Sequence, residues 1–222
     1  MKKLWLVWVF AGLSWMWAGD HWQVGLDLVG GFPQGEFQDS LDDDGVGGGI
    51  WFLYGPKDRP FSVGADFAFV NYGYTSEDVD CRRCDLEEIN TSSNILLGHF
   101  LFRIQPNHGV IRPYLETLLG FKHFVTTTTF VEDDFEDSDY DEELDDTAPS
   151  YGLGAGVSFL LSEPKKQGPE WQFAMSARYL FGEKAEYILA DSVEIIDQTV
   201  YYESAESKTD LLTVQVGFSC RF

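Results

Sequence analysis

Cations are scarce in this chain: 15 lysines and arginines stand against 37 aspartates and glutamates, and the formal net charge is −22. That balance excludes binding to nucleic acid through its phosphates, which takes a basic surface. Long apolar runs are scarce as well. Beyond residues 4–17 no stretch is apolar over the roughly 20 residues that a membrane helix requires. Cysteine occurs three times, and the neighbourhood of Cys81 and Cys84 holds no further thiol or imidazole with which to build a zinc site. No serine-bearing nucleophile motif accompanies any of the four histidines, so the sequence predicts neither an enzyme nor a cofactor.

The amino-terminal segment is different in kind. Lys2 and Lys3 precede the apolar run 4–17, and Ala18, Gly19 and the polar Asp20 follow it. This is the pattern of a cleaved export signal over residues 1–18, with Met16 standing where a small residue is usual. An uncleaved anchor is the alternative. Loss of residues 1–18 leaves 204 residues at a charge of −24, enough for one barrel over 19–222 and no second globular domain.

The informative pattern lies at the other end. Leu212, Val214, Val216, Phe218, Cys220 and Phe222 alternate with Leu211, Thr213, Gln215, Gly217, Ser219 and Arg221. One face is wholly apolar and the other mostly polar or small, as in a strand with lipid outside and a polar lumen within. Similar segments recur at about 21–32, 46–55, 61–72, 93–105, 112–126, 149–161 and 170–182, eight with the last at 209–222. Ten residues of tilted strand span roughly 25 Å, the height of an outer-membrane apolar band. The connections at 55–60, 106–111 and 162–169 are short, whereas 33–45, 73–92, 127–148 and 183–208 are long.

Charge divides in the same way. Five, six, eleven and seven of the carboxylates fall in those four long connections, 29 of the 37, and against Arg82, Arg83, Lys184 and Lys208 they leave −25 there and +1 on the rest of the mature chain. Short turns inside and long loops outside is the asymmetry of bacterial outer-membrane barrels. The fold class predicted is therefore all-β, an eight-stranded antiparallel up-and-down transmembrane β-barrel with four long acidic external loops.

Continuing the alternation places Trp22, Leu26, Phe52, Phe67, Phe100, Leu119, Leu153, Trp171 and their neighbours outward, without a charge among them. A soluble lipocalin-like barrel would need the reverse pattern. Inward go Asp27, Asp66, His99, Arg103, Glu116, Lys122, Gln172, Arg178, Gln215 and Arg221, with glycines between them. Eight strands enclose a space that side chains just fill. Three carboxylates and four cations are expected to pair across a plugged, partly hydrated lumen, because a single buried charge is costly.

Over residues 20–222 the chain resembles the small eight-stranded outer-membrane β-barrel proteins, the family of the OmpA membrane domain and the OmpX-like proteins. Gly30-Gly31-Phe32-Pro33 and Gly35-Glu36-Phe37 look like its opening strand. Gly217, Phe218 and the terminal Phe222 are similar to its assembly signal, with Cys220 replacing a usual aromatic and Val216 a usual polar residue. The resemblance implies a monomer in the bacterial outer membrane, surrounded by lipid and recognised at its last strand by the outer-membrane assembly machinery.

Smaller features have less specific readings. Cys81 and Cys84, in an exported chain, are expected to form a small local disulfide; Cys220 is an apolar filler. Asp137, Asp139 and Asp141 reproduce the first ligands of a calcium loop, but Glu142 stands where glycine is required and Ala148 where the bidentate glutamate belongs. Two readings of that run stay open: a solvated loop extended by self-repulsion, and loose binding of divalent cations that bridges to surface glycolipid. Function divides likewise between a structural, adhesion or surface-interaction role and a narrow porin-like channel or small-molecule conduit.

Overall fold

In a computed structural model the chain is described over residues 20–40, 44–78, 86–132, 140–162, 168–188, 194–196, 199–201 and 204–222. The export signal, Cys81, Cys84, Asp137 and Asp139 lie outside the described residues, and of Asp141 only the backbone is described. Eight strands close into a barrel: β1 (Asp20–Pro33), β2 (Gly45–Pro56), β3 (Phe61–Asp78), β4 (Leu86–Ile104), β5 (Ile111–Glu132), β6 (Tyr140–Leu160), β7 (Glu170–Gly182) and β12 (Leu211–Arg221). Each pairs antiparallel with its sequence neighbours, and β12 closes on β1 from Gln23↔Arg221 to Pro33↔Leu211. Closure leaves no sheet edge at the height of the apolar band, so strand backbone there has a partner, as a lipid surround demands. No helix among the described residues is long and apolar enough to cross a membrane.

The period-two pattern becomes an inside and an outside. Leu28 and Phe100 are 73% and 76% exposed, whereas Asp66, His99, Arg103, Glu116 and Arg178 are buried. The exterior is smoothed by aromatic rings: Phe121 lies against Gly98, where a Cβ would sit 2.6 Å from the ring, and Phe173 packs on Phe218 at 5.5 Å. Such a surface in water would drive association.

Strand pairing continues into the outer connections. β3 and β4 stay paired out to Asp78↔Glu88, and β5 and β6 out to Phe130↔Tyr140. Four strands therefore continue beyond Asn71 and Ser150, the last positions at which β2 and β7 pair with this group, and form a raised wall. The β-branched and aromatic residues Thr126 to Val131 favour extended pairing. In the last long connection β8 (Lys184–Ile188) pairs with β11 (Ser204–Lys208), and β9 (Glu194–Ile196) with β10 (Thr199–Tyr201). The first carries a short helix, α1 (Glu36–Ser40).

Candidate functional site

The lumen and its two mouths are where chemistry-bearing side chains converge. At mid-height Arg103 donates to Glu116 through Nε at 2.7 Å, and Arg178 Nε donates to the other oxygen of the same carboxylate at 2.8 Å. Arg178 Nη1 then reaches Asp66 Oδ2 at 2.9 Å. Two guanidinium groups and two carboxylates thus form one neutral chain across the barrel. The Arg103 guanidinium is stacked between Trp51 and Tyr114, 4.3 and 4.2 Å from their centroids, which adds cation–π attraction in a water-poor space.

Not all eight of the expected network residues join it. Asp27 is a third carboxylate with no cation bonded to it among the described residues; its Oδ2 accepts from Trp51 Nε1 at 2.9 Å. Lys122 lies nearer the outer mouth, fully buried, and donates to the carbonyl oxygens of Leu180, at 3.0 Å, and Thr209. Arg221 belongs to the inner mouth, donating to Asn107 Oδ1 at 2.6 Å beside the His21 ring. The expected pairing of three carboxylates with four cations therefore resolves into a two-by-two core, because strand tilt and stagger set Lys122 and Arg221 at other levels. A further inner ion pair, Arg112 with Glu170 at 2.9 Å, has the inward parity but was not anticipated.

His99 makes a contact of another kind. Its Nε2 lies 3.0 Å from Ser150 Oγ, and its Nδ1 lies 4.0 Å from Asp66 Oδ1. The order is that of a serine triad, but the second distance is too long for a hydrogen bond and all three residues are buried. Asp66 is already held by Arg178. His99 and Ser150 thus make a buried contact in the lumen, beside the Arg178–Asp66 pair.

Apolar side chains pack together at the outer mouth. Gly35, at φ 61°, turns the chain so that Phe37 points back into the barrel, where it is 0% exposed. Its ring meets Tyr72 and Phe124 edge-on at 6.3 and 5.7 Å, and Val29, Val70, Ile95, Ala148, Ala185 and Leu211 belong to the same buried cluster. Two hydrogen bonds fasten this cap to the segment that leads into the neighbouring β12: Gln34 N donates to Asp210 O at 2.9 Å, and Lys208 N to the Glu36 side-chain Oε2 at 3.3 Å. A phenylalanine in an acidic loop carries no sequence signal that it will fold inward.

The residues expected to carry the assembly signal lie at the lower end of β12. Phe218 and Phe222 are exposed on the lipid side. Gly217 faces the lumen, where a Cβ would collide with the Asp27 carboxylate and the Leu26 carbonyl, so its lack of a side chain has a packing reason. Among the described residues no group of three or more histidine, cysteine or carboxylate side chains is placed to hold a metal ion.

No family model and no curated sequence matches the chain. Solved structures do resemble it in shape. A major outer membrane protein of Thermus thermophilus aligns over 90% of this chain and 99% of its own, at 10% identity and a TM-score of 0.53. The attachment invasion locus protein Ail of Yersinia pestis, solved with the heparin analogue sucrose octasulfate, aligns over 91% and 97% at 16% identity and a TM-score of 0.48. OprG of Pseudomonas aeruginosa aligns over 92% and 96% at 16% identity and a TM-score of 0.42. At such identities the likeness establishes the fold, an eight-stranded barrel of the outer-membrane type.

Proposed function

We propose that this chain is a monomeric, non-enzymatic barrel of a bacterial outer membrane that works through its external surface. The observation that carries the reading is the occupied lumen: Phe37 is buried at the outer mouth, and the Arg103, Glu116, Arg178 and Asp66 chain crosses the middle. What remains available to the surroundings is the raised four-stranded wall and the hairpin β8–β11. Those outer connections carry −25, which favours basic partners, cationic surfaces or divalent cations bridging to anionic glycolipid. A sulfated polysaccharide is disfavoured by the same charge. Lipid around the barrel, and the assembly machinery acting on Gly217, Phe218 and Phe222, complete the proposed set of partners.

Planar-bilayer recording together with binding assays tests this. Purified protein should give no discrete conductance, and cells carrying it should bind cationic surfaces in a salt-sensitive way. Steady single-channel steps altered by Arg103→Ala would reverse the conclusion. The conduit is the second reading, and one observation favours it: Asp27 Oδ1, His99 Nδ1, Arg178 Nη2 and Thr213 Oγ1 are buried without a hydrogen-bond partner among the described residues, so water belongs beside them. Catalysis is tested separately. A fluorophosphonate probe should leave Ser150 unlabelled, and stoichiometric labelling would make the His99 contact a working one.

A further inference from the structure

The inner end of the barrel differs in charge from the outer one. The turn between β2 and β3 presents Lys57 and Arg59, both exposed, with Asp58 as its one carboxylate. Asn107, from the next turn, fixes this segment: its Nδ2 donates to the carbonyls of Lys57 and Arg59 at 2.9 and 2.6 Å, while its Oδ1 accepts from Arg221. Two turns and the end of β12 are thereby tied into one platform. The Arg59 guanidinium lies 5.9 Å from the Phe61 ring, and Phe61 continues into the lipid-facing row by stacking on Phe102 at 6.5 Å. Val110, in the turn of Asn107, and Ile111, the first residue of β5, are also exposed. The cations therefore sit where apolar surface gives way to water, which is the depth of lipid phosphates.

We infer that this platform binds the phosphate of an anionic phospholipid in the inner leaflet, with Lys57 and Arg59 as its ligands. The inference rests on the barrel spanning a membrane as proposed above. Electrostatic attraction supplies the preference, since each cation close to a bilayer surface adds to the affinity for anionic lipid within a Debye length. The buried Arg112 and Glu170 pair contributes no net charge, and Arg221 is turned toward Asn107 and His21. Among the described residues of the inner turns, Lys57 and Arg59 are the exposed cations able to meet a headgroup.

The protein carries its own reporters. Of its tryptophans past residue 18, Trp22 and Trp171 are exposed on the lipid face at this same end, and Trp51 is buried in the lumen. Refolded protein is placed in phosphatidylcholine vesicles containing equal fractions of either brominated phosphatidylglycerol or brominated phosphatidylcholine, identical in both leaflets so that orientation is immaterial. At low salt the anionic lipid should be preferred about three- to tenfold, as judged by tryptophan quenching. The preference should fall toward one in about 0.5 M salt and in the double variant Lys57→Gln, Arg59→Gln. Both side chains are exposed, and heat-dependent gel migration verifies that the variant still folds.

Equal quenching by the two lipids overturns the inference, as does a preference that the double variant retains. Loss of binding to cell-wall sacculi in the variant, without any lipid preference in the parent, overturns it in favour of the wall polymer. Failure of brominated phosphatidylcholine to quench at all would instead strike the spanning barrel itself, and the lipid site with it.

Discussion

One hairpin crosses two regimes. In the lower part of β5 and β6, Glu116 opposes Gly154, is fully buried, and holds both Arg103 and Arg178. Farther along the same ladder Thr128 opposes Glu142 and Thr129 opposes Asp141, and the pairing continues to Phe130↔Tyr140, in a part of the sequence with eleven carboxylates between residues 132 and 146. The backbone does the same thing in both places. Within the barrel a carboxylate must be matched by a cation, because desolvation of a lone charge costs several kcal/mol; in the wall, water supplies the screening. The medium, more than strand propensity, determines where acid is tolerated.

Removing Glu116 should break this contrast most severely. Glu116→Ala strips the partner from two buried guanidinium groups, and about 3–5 kcal/mol of stability should be lost, the cost of uncompensated buried charge. Urea titration in detergent, followed by the shift from folded to unfolded gel migration, measures it. A loss below about 1 kcal/mol would mean that water already solvates Arg103 and Arg178. Replacing Glu116 and both arginines together with apolar residues should be far milder than the single change, since it leaves no charge unmatched.

Phe37→Ala attacks the boundary between the regimes. About 3 kcal/mol of packing should be lost, confined to the cap, so that hydrogen exchange accelerates at Gln34 and Lys208 while the barrel amides keep their protection. Barrel-wide loosening would show that the cap is integral to the fold. Gly25→Ala probes the interior from another side. A Cβ there would run into the Trp51 indole, displacing it from Arg103 and Asp27, at a cost of about 1–3 kcal/mol for overpacking. Weakened near-ultraviolet dichroism from Trp51 is the expected sign.

Alternation at period two made the barrel legible, and it gave the inward parity of Asp66, His99, Arg103, Glu116 and Arg178 before any pairing was known. It also contained Trp51, Tyr114 and Arg112, which share the parity of their charged neighbours, yet it could not say which side chains meet. Partnership depends on strand stagger, a property of the closed sheet. Stagger is why Lys122 finds two carbonyls and Arg221 an asparagine. The wall was hidden by its composition: charge suggested solvated loop, although Thr126 to Val131 already favoured a strand. Phe37 was illegible for a different reason, since its burial depends on a turn at Gly35 and on surfaces from β3 and β5 that converge only after closure.

The mildest test lies on the wall. Asp145 opposes Val125 on β5 and is exposed, a carboxylate on the same β5–β6 ladder as the buried Glu116. If water alone accounts for the tolerance of acid there, Asp145→Asn should change stability by no more than about 0.5 kcal/mol, as surface substitutions do. It should also leave the salt dependence of unfolding unchanged within error. A stabilisation that vanishes in salt would show that the wall carboxylates repel one another enough to strain the ladder. A loss comparable to that of Glu116→Ala would mean that Asp145 is matched by a cation after all, and the division between a paired interior and a solvated exterior would have to be moved outward along β6.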